Sequence, residues 1–283
     1  MFTLAVLMTC YNRVAVTRRC LQRLFRCPLP ENWRLAVWLV DDASPDRTGD
    51  IVVREFPAVH VIQSPGNLFW CKGMRLAWDT AAAAQDYDAY LWLNDDVMLF
   101  EDAFRVLARD LDRMPNARES VFMGACQSGE DDSAISYSAR LYDKKLAIPN
   151  GESPQPICDM MSGNFVFVPR AVFRNVGPIY GGYWHGCGDH DYALMCERAG
   201  IMKYCCSKAV GVCPRQPERY LHLKDRTLAQ RIKLLFTPKG YPLHDTVVFR
   251  YRNNGILRMI VSFFHVLAVV IFAIEPKAKK GKG

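Results

Sequence analysis

Two acidic clusters carry residue types suited to chemistry on a phosphorylated or hydroxylated substrate. They are Asn94-Asp95-Asp96 and Asp189-His190-Asp191. The first follows the uncharged run 90–93, which reads as a strand buried on both faces. Two carboxylates and an amide oxygen at the end of such a strand form an all-oxygen cluster. Mg²⁺ and Mn²⁺ favour that donor set and complete their shells with water and substrate phosphate. The alternative is a solvated turn, since Asn and Asp are common turn formers. The second cluster follows the glycine-rich stretch 181–188, which carries Trp184 and His185. Helix-like sequence runs on from it to Arg198, so Asp189 lies near a helix N-terminus. Capping is the alternative there, because the free amides and the helix dipole favour Asp. The glycine loop directly before it favours a functional role.

No Gly-x-Gly-x-x-Gly and no P-loop pattern occurs. A phosphate group would therefore need a metal, or Lys and Arg side chains. Lys72 and Arg75, at the start of a helical stretch, are candidates, with solvated face residues as the alternative.

Strands are expected over 4–8, 35–40, 59–62 and 90–93. Helices are expected over 14–25, 48–55 (with Thr48 as its cap) and 71–84. This alternation argues for an α/β fold whose parallel sheet binds ligand at the carboxyl ends of its strands. Shorter strands follow at 121–125, 136–141 and 164–168, with amphipathic helix at 104–111 and a helix opening at Pro169-Arg170. The apolar start 2–8 lacks a basic flank and a cleavage site, so it reads as a first strand and not as a signal peptide.

The chain has 283 residues, half of them hydrophobic, with a net charge of +7. That supports a full core and argues against disorder. Four lysines (277, 279, 280 and 282) fall in the last seven residues. Such a tail suits an anionic membrane surface better than nucleic acid. The eleven cysteines are odd in number and contain no Cys-x-x-Cys pair. Reduced, mostly buried cysteines in a cytoplasmic protein are expected, without a zinc site. A basic amphipathic helix over 228–236 and the apolar stretch 259–274 close the chain. At 1.5 Å per residue the latter is about 24 Å long, short of the ~30 Å hydrocarbon core. It reads as an interfacial or half-inserted anchor, with a C-terminal core helix as the alternative.

Four segments in order resemble glycosyltransferase family two. They are Leu7-Met8-Thr9-Cys10-Tyr11-Asn12-Arg13, Val40-Asp41-Asp42-Ala43-Ser44-Pro45-Asp46, Leu93-Asn94-Asp95-Asp96 and Gly188-Asp189-His190-Asp191-Tyr192. Pro65-Gly66-Asn67-Leu68-Phe69-Trp70 and Arg250-Tyr251-Arg252-Asn253 also resemble the bacterial branch that builds surface polysaccharides, including rhamnosyltransferases. The resemblance implies a GT-A mixed sheet flanked by helices over 1–225. Residues 1–100 would bind nucleotide and 101–225 acceptor, with a membrane-associating region over 226–283.

The resemblance implies an inverting transfer from a UDP- or dTDP-sugar to a lipid-linked or cell-surface glycan. The enzyme would sit on the inner face of the cell membrane. Asp189 would be the base, with Asp191 orienting it or holding an acceptor hydroxyl. Thr9, Tyr11, Asn12, Asn67 and Lys72 would lie along the donor, Asp42 at the base and Asp95 near the ribose or sugar. Asp96, with Asn94, would hold Mg²⁺ or Mn²⁺. Trp184 and His185 would form the acceptor loop. Cys213 stands where many relatives have a metal-binding His; His222 could reach in from further on, but a lone His is more often structural and is left out of the site. A nucleotidyltransferase, or a non-catalytic nucleotide- or glycan-binding scaffold, are the alternatives.

Overall fold

The computed structural model describes residues 1–143, 145–158, 160–215, 223–238 and 240–274. His222 and the four tail lysines lie outside the described residues. The chain forms two compact units. One contains Met1–Gly181 and Gly188–Arg215; the other contains Gly182–Cys187 and the chain from Gln216.

The first unit begins β1 (Phe2–Cys10), α1 (Val14–Arg26), β2 (Trp33–Asp41), α2 (Thr48–Glu55), β3 (Val59–Gln63), α3 (Phe69–Ala84) and β4 (Ala89–Leu93). Next come β5 (Met98–Leu99), α4 (Ala103–Arg113), β6 (Val121–Met123), β7 (Cys126–Gln127), β8 (Ile135–Tyr137) and β9 (Gln155–Pro156). It ends with β10 (Phe165–Pro169), α5 (Arg170–Val176), α6 (Gly188–Arg198), β11 (Lys203–Cys205) and β12 (Gly211–Val212).

Eight strands form the central sheet in the order β3-β2-β1-β4-β10-β6-β11-β9. The first four are parallel, and β10 runs antiparallel between β4 and β6. All five residues of β4 are buried, as are 4–8 of β1. Their alternate side chains feed opposite faces: Leu4, Val6, Met8, Leu91 and Leu93 enter one core, and Ala5, Leu7, Tyr90 and Trp92 the other. Helices on both faces therefore allow the continuous apolar runs. Chain order reverses at β1, which has β2 on one side and β4 on the other, so the loops after β1 and β4 emerge side by side. A small sheet, β5-β12-β7-β8, pairs the segment after Asp96 with the segment leading to Cys213.

Thr48 does not cap α2. Arg47, with φ of 60°, holds that position, and Thr48 is the first helical residue. The nearby carboxylate of Asp46 takes over, accepting from the Thr48 amide and hydroxyl and from the Val14 amide that opens α1. The strand expected over 136–141 is also shorter, ending at Tyr137.

The second unit holds α7 (Leu228–Leu234) and α8 (Leu243–Ile271). Thr227 and Gln230 close a reciprocal capping box on α7. α8 kinks at Gly255, whose φ of 80° disfavours any residue with a Cβ. The apolar stretch expected as a separate helix is thus the second half of α8.

Candidate functional site

The loop after β1 leads into Arg13, whose guanidinium clamps the two carboxylates after β4. Arg13 Nη1 donates to Asp95 Oδ1 at 2.7 Å and to Asp96 Oδ2 at 3.2 Å, and Nη2 reaches the same Asp96 oxygen at 3.3 Å. Thr17, one turn into α1, donates its hydroxyl to Asp95 Oδ2 at 3.0 Å. Asp95 is almost wholly buried. Burial pushes its carboxyl up to about 6, with Arg13 opposing the rise and Asp96 adding to it. Both oxygens of Asp95 are occupied by the chain, so its place is beneath the site. Asp96 is the more exposed of the pair.

Cys213, arriving through β12, donates its thiol to Asp96 Oδ1 at 3.6 Å and accepts from Asn164 Nδ2 at 3.3 Å. Burial first, then the charge of Asp96, pushes this thiol well above its ordinary range. The thiol form is a poor metal ligand. The Asn94 amide lies against Asn164, with its N–H on the Asn164 carbonyl at 3.0 Å. The side-chain oxygen of Asn94 accepts from the Trp70 indole at 2.7 Å. Its expected place beside Asp96 on a metal is therefore not the orientation seen.

Trp70 joins the two acidic clusters. Its ring lies where a Cβ on Gly163 would stand 2.7 Å away and one on Gly188 3.3 Å away. The indole leaves no room for a Cβ at Gly163, and at Gly188 the indole crowds the position while Cys71 Sγ, 2.6 Å from a Cβ there, closes it. The Gly163 amide donates to Asp189 Oδ2 at 3.1 Å, and Asp189 Oδ1 accepts from the His190 amide at 2.9 Å. Asp189 is half-buried in the first turn of α6, and Asp191 is fully buried. Sequence reasoning placed Asn164 only at the start of a strand and did not name Gly163. The Trp70 side chain and the pair of glycines that admit it are separated by more than ninety residues, so only the fold reveals them.

The remaining expected donor residues surround the two loops unevenly. Thr9, the penultimate residue of β1, is half-buried against Gly73, where a Cβ would meet its hydroxyl at 2.5 Å. Tyr11 and Asn12 are exposed, and the Asn12 amide donates to Ser44 Oγ at 3.0 Å. Asn67 is exposed with φ of 63°, and Lys72 lies half-buried in the first turn of α3. Asp42 accepts from Ser64 Oγ at 2.7 Å, from the Leu68 amide at 3.0 Å and from the Phe69 amide at 2.9 Å. Its lone pairs are thus used in shaping the 64–69 loop that delivers Trp70.

Trp184 and His185 belong to the second unit. Their amides, with that of Gly186, donate to the buried carboxylate of Asp245 at 2.9–3.2 Å. The Trp184 ring stacks on His244 at 4.9 Å.

Among the described residues, no group of three or more His, Cys, Asp or Glu side chains is placed to hold a metal ion. What the site offers is one hard, partly exposed carboxylate, Asp96. That fits a cation drawing most of its ligands from a diphosphate and water, and does not fit a closed protein cage.

A family model described as Glycosyl transferase family 2 matches residues 5–175. Among solved structures, the mannosyltransferase PcManGT from Pyrobaculum calidifontis, in complex with GDP-Man and Mn2+, superposes with a TM-score of 0.58 at 15% identity. The match covers 94% of this chain and 69% of that one. TarS 1-349 of S. aureus in complex with UDP-GlcNAc gives 0.58 at 13% identity, covering 97% and 82%. No curated protein matches. At these identities the structural likeness speaks for the fold, a GT-A-type mixed sheet flanked by helices.

Proposed function

This chain belongs to glycosyl transferase family 2, and from that premise we propose an inverting, metal-assisted transfer to a lipid-linked or cell-surface glycan. The donor class is a UDP- or dTDP-linked hexose or deoxyhexose, rhamnose among them. The observation that carries the reading is the join between the two acidic clusters. The Trp70 indole holds Asn94 on one side and packs against Gly163 and Gly188, the neighbours of Asp189, on the other.

In the mechanism Asp189 accepts the proton of an acceptor hydroxyl. The oxygen attacks the anomeric carbon as the bond to the nucleoside diphosphate breaks. With one base and no carboxylate nucleophile, a single displacement inverts that carbon. The Gly163 and His190 amides hold the Asp189 carboxylate in place. The full burial of Asp191 supports an orienting role and removes it from direct contact with an acceptor. Asp96 would hold the cation, which offsets charge developing on the leaving diphosphate. Asp95 and Arg13 fix the position of Asp96 from below. Asp42 acts through the 64–69 loop and not by direct contact with the base. Thr9, Tyr11, Asn12, Asn67 and Lys72 line the donor side.

Donor consumption and product formation, read by mass spectrometry with UDP- and dTDP-sugars, Mn²⁺ and a lipid-linked acceptor extract, test this reading. Turnover of one donor, abolished by EDTA, is expected. Nucleotide binding without turnover of any donor would point to a non-catalytic scaffold.

A further inference from the structure

The second half of α8 is apolar, yet little of it packs against the chain. Only 11% of the most apolar eighteen-residue stretch of α8 is buried. Leu257 is 71% exposed, Phe264 63% and Val261 54%. Continuous apolar exposure of this kind marks an interaction surface. Within 256–271 the only polar side chains are Arg258, Ser262 and His265. They recur at four and three residues, which places them in one line along the helix.

α7 adds Leu228 and Ile232, both exposed and one turn apart. Arg231 ties this helix to the end of α8, donating from Nη1 to the carbonyls of Ile271 at 2.6 Å and Val270 at 3.3 Å.

Charge decides between partners. Residues 226–274 hold seven Lys and Arg and a single acid, Asp245. Asp245 is fully buried, its carboxylate taken by the amides of 184–186. Two copies meeting through this face would oppose like charges, whereas an anionic lipid surface complements them. The geometry also selects a mode. From the kink, residues 256–271 extend about 24 Å, short of the ~30 Å core of a bilayer. A spanning helix would carry Ser262 and His265 near the hydrocarbon midplane, where polar groups are costly.

We propose that 256–271, with α7 beside it, lies in the plane of an anionic lipid surface. Arg258, Ser262 and His265 face the headgroups, and the apolar side chains enter the acyl boundary. Gly255 is the hinge that sets the segment's direction independently of 243–254. This deepens the reading of a lipid-linked acceptor and rests on it only for the purpose of docking. Vesicle binding is measured without donor, so either can fail alone.

The test is co-sedimentation of the full chain with vesicles of phosphatidylcholine, with and without phosphatidylglycerol. The wild type is expected to sediment with the anionic vesicles only. Ile260→Glu with Phe264→Glu, both at exposed positions, should lower binding more than tenfold while circular dichroism and UDP binding stay unchanged. Arg258→Gln should weaken it about fivefold, the equivalent of ~1 kcal/mol per basic residue. Equal binding to neutral vesicles, or no effect of the double substitution, overturns the proposal. Resistance to alkaline carbonate extraction would mean spanning. A lipid-free dimer abolished by the same substitutions would mean a second copy. Either result also overturns it.

Discussion

Replacing Arg13 by methionine keeps most of the side-chain volume and removes the charge that holds Asp95 and Asp96. Burial already raises the Asp95 carboxyl from 3.8 to about 6. At ~1.4 kcal/mol per unit, ionising Asp95 costs the fold about 3 kcal/mol even with Arg13 present. The folded chain binds this proton more tightly than the unfolded chain does. The contribution is therefore greatest below about pH 4 and is lost as pH rises through about 6. Without Arg13 the largest opposing influence disappears, so the folded-state value climbs and the loss continues to higher pH. Breaking a buried charge pair costs about 3–5 kcal/mol, and the 29% exposure of Arg13 puts this one near the lower end. Arg13→Met should accordingly be ~3 kcal/mol less stable than wild type at pH 8, with the gap closing towards pH 4. Urea midpoints from pH 4 to 8, in EDTA, read this directly. Asp95→Asn in the Arg13→Met background should restore most of the loss at pH 8. A gap independent of pH, or none, would refute the assigned clamp.

Asp96→Asn should abolish stimulation by Mn²⁺ in a metal titration of donor turnover, while urea unfolding shows a stability within about 1 kcal/mol of wild type. Trp70→Phe keeps the ring but strands the Asn94 oxygen, which should cost about 1–3 kcal/mol and lower kcat more than it raises KM. Gly163→Ala drives a Cβ to 2.7 Å from the Trp70 ring, so a loss of about 1–3 kcal/mol is expected by thermal melting.

The parallel half of the fold was legible because its signals are local. The apolar runs of β1, β2 and β4, and the acidic turns after β2 and β4, are each contiguous. Asp189 at the start of a helix was legible for the same reason. Partners distant in sequence were not. Nothing near Asp95 announces that Arg13, eighty-two residues earlier, occupies its oxygen, and Asp42 in isolation looks free to read a base. The cap of α2 was misassigned because Thr48 and Asp46 are both good capping residues, and only backbone geometry chooses between them. Cys213 looked like a lost histidine; the fold places it on Asp96 as a thiol donor.

The most direct test of the central claim compares wild type with Asp189→Asn for sugar transfer from the turned-over donor, with nucleotide affinity measured alongside. General-base catalysis contributes about 10²–10⁴-fold. The account predicts a loss of kcat in that range with UDP or dTDP affinity unchanged and the product anomer inverted relative to the donor. Full transfer activity in Asp189→Asn would contradict it.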